Sequence, residues 1–202
     1  EFCAKKYGHG VVTMVISANP ASGKTFLTMN LAMSLAIKKK RVVVVDLDMR
    51  KAATSKYVRK PQVGISSYLN GQCELKDIIH RYDGVELDVI PVGMIPPNPT
   101  ELLYDERLAE AIEQLRKDYD YVFIDCPPVE VVAASSIIAP FADISLFVVR
   151  AYLLERSMLP DVEMFYKSQR YPNMFMVLNG TESGSGYGYR KYGYRYGYRY
   201  GY

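Results

Sequence analysis

Residues 17 to 25 read Ser17-Ala18-Asn19-Pro20-Ala21-Ser22-Gly23-Lys24-Thr25. A Gly-Lys-Thr triplet that follows an apolar run and opens a helical pattern is the setting of a Walker A phosphate-binding loop. In such a loop, backbone N–H groups and a helix N-terminus hold phosphate oxygens. Lys24 then neutralises the β- and γ-phosphates, and the Thr25 hydroxyl reaches Mg²⁺. The candidate nucleotide-binding residues are Asn19, Pro20, Ala21, Ser22, Gly23, Lys24, Thr25 and the adjoining Phe26. One position departs from GxxxxGK[ST]: its first glycine is Ala18 here.

Two apolar runs deliver carboxylates. Val43-Val44-Val45-Asp46-Leu47-Asp48-Met49-Arg50 ends with two of them, and Val122-Phe123-Ile124-Asp125-Cys126-Pro127-Pro128 with one. In open α/β sheets, ligands collect beyond the carboxyl ends of the strands, so these groups are expected beside the loop. Carboxylates with water completing an octahedron suit Mg²⁺. The expected metal set is Thr25, Asp48 and Asp125. The bland reading, three unrelated solvated strand ends, needs three accidental placements.

The third chemical feature is the C-terminus. Eight of the last sixteen residues are tyrosine: Tyr187, Tyr189, Tyr192, Tyr194, Tyr196, Tyr198, Tyr200 and Tyr202. Gly, Arg and one Lys fill the gaps, and nothing there is aliphatic, so the segment cannot build a core. It is read as a flexible tail, either a sticky interaction segment or a substrate. The formal net charge of the chain is +3. Arg190, Lys191, Arg195 and Arg199 supply more than all of it, leaving −1 on the remainder. The body therefore has no general basic character, which argues against nucleic-acid binding by the fold itself.

These groups need a scaffold, and the pattern supplies one. Val11–Ile16 and the continuous β-branched run Val42–Val45 read as strands, the second central and covered on both faces. Strands are also expected at Glu86–Val92, Tyr121–Ile124, Ile144–Val149 and Phe175–Leu178. A helix follows Gly23, apolar on more than one side through Phe26, Leu27, Met29, Leu31, Ala32, Leu35 and Ala36, and is expected to be buried. Pro96-Pro97-Asn98-Pro99 predicts an extended loop. Thr100 is expected to cap the helix that carries the stripe Leu108, Ile112, Leu115 and Tyr119. A further helix is expected over Met158–Ser168.

Strands alternating with helices predict an α/β fold, a P-loop NTPase-like, mostly parallel sheet flanked by helices. The expected organisation is one domain over 1–180 and the tail over 181–202. Cys3, Cys73 and Cys126 lack metal or disulfide spacing and point to a reducing compartment. Cys126 reads as a small buried side chain. His9 and His80 read as solvent-exposed loop or helix residues, and Tyr57, Tyr68, Tyr82, Tyr104 and Tyr166 as packing or surface residues. No apolar run reaches the ~18–20 residues of a membrane span. The opening Glu1-Phe2-Cys3-Ala4-Lys5-Lys6 lacks a Met and reads as the end of a helix, so a longer parent protein is expected.

The motif set resembles the bacterial tyrosine kinases (BY-kinases) of capsule and exopolysaccharide systems. That family follows its Walker A with an A-prime motif, three apolar residues and DxDxR, and a B motif, three apolar residues and DxPP. Both stand here. The resemblance extends over Pro96-Pro97-Asn98-Pro99-Thr100-Glu101-Leu102-Leu103, Arg150-Ala151-Tyr152, Leu178-Asn179 and the tyrosine cluster, nearly the whole chain. It implies an ATP- and Mg²⁺-dependent protein-tyrosine kinase that phosphorylates the tails of neighbouring copies in trans. Implied partners are those copies (a ring in the full-length protein), a cognate tyrosine phosphatase, the polysaccharide assembly machinery and other protein substrates, with no nucleic acid. The implied location is the cytoplasmic domain of an inner-membrane protein.

Within this scheme Lys24 offsets charge on the transferring phosphoryl group, and Asp46 is the expected base for the tyrosine proton. Asp48 and Asp125 hold Mg²⁺, and Arg50 binds phosphate or pairs with a carboxylate. Two departures stand out. The family usually has an Asp–Ala pair after DxPP, where Ala134-Ser135 stands here. The family's ExxRxxR helix, used for ring assembly, would lie before Glu1. The rival reading is a partition-type P-loop ATPase with a nucleic-acid-binding tail. Those ATPases carry a second lysine five positions before the P-loop Lys, and that position is Asn19.

Overall fold

The computed structural model describes residues 10–58, 61–82, 84–129 and 132–181, apart from the side chains of 132 and 133. Cys3, His9 and all eight tail tyrosines lie outside the described residues.

Seven strands form one sheet: β1 (Val11–Ser17), β2 (Val42–Asp46), β3 (His80–Arg81), β4 (Leu87–Ile90), β5 (Tyr121–Asp125), β6 (Ile144–Arg150) and β7 (Met174–Asn179). Their spatial order is β3-β4-β2-β5-β1-β6-β7, parallel except for the short antiparallel β3–β4 pair at one edge. All residues of β1, β2 and β5 are buried. That is why their sequences are continuous apolar runs rather than alternating ones.

Successive side chains feed two cores. Val11 and Val15 join Val42, Val44, Tyr121 and Phe123 on one face of the sheet. Val12, Met14 and Ile16 join Val43, Val45, Val122 and Ile124 on the other. Helix α1 (Lys24–Ile37) covers the first face with Met29, Ala32 and Ala36. The expectation that this helix is buried on more than one side is corrected: Phe26 and Ile37 are 62% and 68% exposed, and Leu27, Leu31 and Leu35 are half-buried. Only one stripe meets the sheet, and the wider apolar surface remains at the rim.

On the second face, α4 (Glu106–Asp118) buries Leu108, Ile112 and Leu115. Thr100 does not cap it. Thr100 lies inside α3 (Pro99–Leu102), which starts after Asn98 with Pro99 in its first turn, so the extended loop stops one residue earlier than expected. Asp105 caps α4 instead, its carboxylate accepting from Arg107 N at 2.9 Å. The two helices are separate because the chain turns at Leu103 and Tyr104. Tyr119 ends the stripe in extended backbone, its hydroxyl donating to Asp88 at 2.7 Å.

The sequence pattern did not announce α2 (Ile65–Leu69), α5 (Val132–Ile138) or β3. His80 belongs to β3 and is half-buried, which corrects its expected place in an exposed loop or helix. The expected helix near residue 158 is α6 (Leu159–Lys167), with Met158 in a preceding 3₁₀ turn. Cys126 is fully buried as expected, and burial pushes its thiol well above the ordinary value.

Candidate functional site

Three neighbouring strands end at the same side of the sheet and build the site. β1 runs into the phosphate-binding loop. β2 and β5 pair in parallel with Asp46 opposite Asp125. The parallel register therefore sets the carboxylates of the two motifs side by side next to the loop, as the sequence led us to expect. Both are fully buried, and Asp48 and Lys24 are nearly so.

Each group has defined partners. Lys24 Nζ donates to Ser17 Oγ at 3.1 Å. The Thr25 hydroxyl donates to Asp125 Oδ2 at 2.5 Å. Asp46 uses both oxygens: Oδ1 accepts from Asp48 N at 3.0 Å, while Oδ2 accepts from Thr54 N at 3.0 Å and Thr54 Oγ1 at 2.7 Å. Ser17 and Thr54 are therefore site residues that sequence reasoning missed. Thr54 sits in a 3₁₀ turn (Ala53–Tyr57) beyond the A-prime motif, and only the folded chain brings it back to Asp46.

The electrostatics follow from burial. Desolvation raises the pKa of Asp46, partly offset by the Thr54 and Asp48 hydrogen bonds. Desolvation also raises that of Asp125, and the neighbouring Asp46 charge adds to it. Burial lowers the pKa of Lys24 against the attraction of Asp125 and Asp48. Three buried carboxylates share the site with one buried lysine, which feels Asp125 and Asp48, so the buried cluster is short of positive charge.

The residues present fit a magnesium nucleotide. Asp125 Oδ1 is buried with no hydrogen-bond donor among the described residues, while Oδ2 already meets the Thr25 hydroxyl. A hydroxyl and a carboxylate so placed are both hard oxygen ligands suited to Mg²⁺. Among the described residues, no group of three or more His, Cys, Asp or Glu side chains could hold a metal alone. A bound Mg²⁺ would complete its shell with water and phosphate oxygens, its usual habit.

The loop is held partly by its own groups and partly by residues outside it. The Asn19 carbonyl accepts from Ser17 Oγ and Ser22 Oγ at 2.7 and 2.8 Å, and its side-chain amide meets Met158 Sδ at 3.9 Å. Pro20 and Ala21 are exposed at the crest, and Ser22 is buried. Gly23 takes φ +92°, a left-handed conformation that an L side chain rarely adopts. Phe26 and Arg50 stand at the exposed rim. Arg50 lines a small cavity with Met49, Thr100 and the buried Ala134, so the departure from the family's Asp lies next to the A-prime arginine.

A family model described as an AAA domain matches residues 12–153. The tyrosine-protein kinase wzc of Salmonella typhimurium is 38% identical over 140 residues, covering 69% of this chain and 20% of that protein. The kinase domain of Escherichia coli tyrosine kinase ETK superposes with a TM-score of 0.80 at 31% identity, covering 92% of this chain and 72% of that domain. This chain belongs to the bacterial tyrosine kinases. Its fold, like theirs, is the P-loop type that binds ATP. As a bacterial tyrosine-kinase domain it spans only a fifth to a quarter of the curated relatives it matches. The septum site-determining protein MinD of Pyrococcus horikoshii, solved with Mg-ADP, gives a TM-score of 0.69 at 24% identity and shares the fold alone.

Proposed function

We propose that this domain transfers the γ-phosphoryl group of Mg-ATP to tyrosine phenols, and that its acceptors are the tail tyrosines of neighbouring copies. One observation carries the reading. The last strand before the tyrosine-rich segment ends on the phosphate loop: Asn179, the last residue of β7, donates to Ser22 O, 2.9 Å away. In sequence the eight tyrosines follow that strand, which supports reading them as the acceptors.

In this reading the backbone N–H groups of Ser22, Gly23, Lys24 and Thr25 hold phosphate oxygens, and Lys24 offsets charge on the transferring group. Thr25, Asp48 and Asp125 hold Mg²⁺, which supplies charge neutralisation and alignment when bound. A phenol has a pKa near 10, so attack needs a carboxylate to take its proton. Asp46 is the first candidate. Burial makes it the better base, but both its oxygens are filled by hydrogen bonds. That observation favours Asp48 as a second candidate; in that case Thr25 and Asp125 hold Mg²⁺ without it, and Asp46 orients Asp48 through the Asp48 N–H. Comparing Asp46→Asn with Asp48→Asn under saturating Mg-ATP separates them. Loss of the base costs ~10²–10⁴ in rate while nucleotide binding persists.

The whole protein's partners are proposed on the same footing: a ring of copies, a cognate phosphatase, the polysaccharide assembly machinery and other protein substrates. The proposed setting is the cytoplasmic face of an inner membrane, where ATP is available. No described helix is long and apolar enough to cross a membrane. The deciding experiment incubates purified protein with Mg-ATP and probes phosphotyrosine beside Lys24→Met. Phosphotyrosine that depends on Lys24 is expected. Its absence, with salt-sensitive nucleic-acid binding instead, would favour the partition-ATPase reading.

A further inference from the structure

Two residues outside every phosphate-binding motif hold the loop by consecutive carbonyls. Arg150, at the end of β6, donates from Nη1 to Ala21 O at 2.8 Å. Asn179, at the end of β7, donates from Nδ2 to Ser22 O at 2.9 Å. The two are register partners in the parallel β6–β7 pair, so the sheet itself sets their spacing. Asn179 is fixed in turn, its Oδ1 accepting from Gly180 N at 2.9 Å.

A trans peptide points its C=O and N–H in opposite directions. Holding Ala21 O outward therefore turns the Ser22 N–H inward, and holding Ser22 O outward does the same for the Gly23 N–H. These are donors that a phosphate loop must present, and neither finds an acceptor among the described residues. The left-handed angles of Ala21 (φ 60°) and Gly23 (φ 92°) are the alternations that turn these peptides. A Cβ on Gly23 would lie 2.3 Å from Asn179 Nδ2, so the glycine is also what lets the amide approach. Pro20 has removed one N–H from the loop, which puts more weight on the donors that remain.

We infer that Arg150 and Asn179 are positioning residues that preset the phosphate cradle by orienting the Ser22 and Gly23 amides, independently of the nucleoside. This rests on the phosphate-binding reading of the loop and not on tyrosine as the acceptor.

The test uses Mg-pyrophosphate as a probe that lacks a base and a sugar, with titration calorimetry on the full chain. Arg150→Ala and Asn179→Ala are each expected to weaken pyrophosphate binding by about tenfold, the scale of one lost hydrogen bond to the cradle. Arg150→Lys keeps a donor and recovers most of the affinity. Asn179→Asp weakens binding further than Ala, because a carboxylate repels the Ser22 carbonyl instead of donating to it. In amide-resolved NMR, the Ser22 and Gly23 resonances of the parent protein shift on adding pyrophosphate, and the Ala variants start from displaced positions. Pyrophosphate affinity unchanged in both Ala variants overturns the inference, as does a parent protein that binds no pyrophosphate. A drop confined to ATP overturns it too, since the residues would then read the nucleoside. If Asn179→Ala does not fold, the exposed Arg150 site carries the test alone. Absence of Lys24-dependent phosphotyrosine would sink the kinase reading and leave the pyrophosphate result standing.

Discussion

Thr54 is the residue whose substitution tests the site's electrostatics most directly. Its fully buried hydroxyl donates to Asp46 Oδ2 at 2.7 Å, and its N–H donates to the same oxygen. Thr54→Val keeps the shape and the N–H but removes the hydroxyl. A hydrogen bond to an ionised group contributes ~1.5–3 kcal/mol, and the carboxylate left behind is desolvated with one donor fewer. Thr54→Ser keeps the hydroxyl and loses one buried methyl, costing about 1 kcal/mol. The two losses differ in their dependence on pH. The methyl term is constant. The hydroxyl term needs an ionised Asp46, whose pKa burial raises, so it grows as pH rises from about 5 to 8. Urea unfolding of the chelator-treated protein at both pH values measures this. Thr54→Val should be roughly as stable as Thr54→Ser at the lower pH and ~1–2 kcal/mol less stable at the higher. A difference between the variants that does not change with pH would refute the assignment of Thr54 as the donor that stabilises a charged Asp46.

Three further outcomes are expected. In the metal-free protein Asp46 and Asp125 hold their protons to higher pH than in the unfolded chain, so the folded state binds more protons above about pH 4, and their contribution to stability falls as pH rises toward neutrality; Asp125→Asn should flatten that part of the pH profile in thermal melts. Arg116 bridges Asp143 Oδ2 at 2.5 Å and donates to Gly10 O and Phe141 O, with only 12% of its side chain exposed; Arg116→Ala should cost ~3–5 kcal/mol in urea unfolding without changing pyrophosphate affinity of the folded protein. Each phosphate adds about −1.5 to −2 charge, so three reverse the +4 carried by residues 187–202; heavily phosphorylated protein should elute as smaller assemblies than phosphatase-treated protein, and identical size distributions would count against release of tails from acidic neighbouring sites.

What the sequence made legible was local. A β-branched run ending in Asp carries its strand and its carboxylate together, so Asp46 and Asp125 could be placed at strand ends, and the parallel sheet brought them into register. The Gly-Lys-Thr triplet likewise contains its own turn and helix start. Partners brought by the chain from elsewhere were not legible. Arg150 and Asn179 lie 129 and 157 residues from the carbonyls they hold. Thr54 is near Asp46 in sequence, but a 3₁₀ turn has no apolar period to reveal it. Thr100 misled because a threonine before a glutamate fits a cap, whereas Pro99 had already begun a one-turn helix. Asp105, in the same polar stretch, was an equally good cap by residue type. Only the direction of its carboxylate toward Arg107 N decides between them.

The shortage of positive charge ties these observations together. Lys24, held by Ser17, is attracted by Asp48 and Asp125, and burial pushes Asp46 and Asp125 toward their protonated forms while pushing Lys24 toward neutrality. Each shift costs the nucleotide-free protein some of the charge separation that the proposed phosphoryl transfer requires. A divalent cation reverses this, because it favours carboxylate over acid at short range. The phosphates that arrive with it favour the charged lysine. The working ionisation state therefore belongs to the nucleotide-bound protein rather than the nucleotide-free one. The neutral parts of the machinery, the Ser22 and Gly23 amides fixed by Arg150 and Asn179, need no such change and can stand ready before the nucleotide enters.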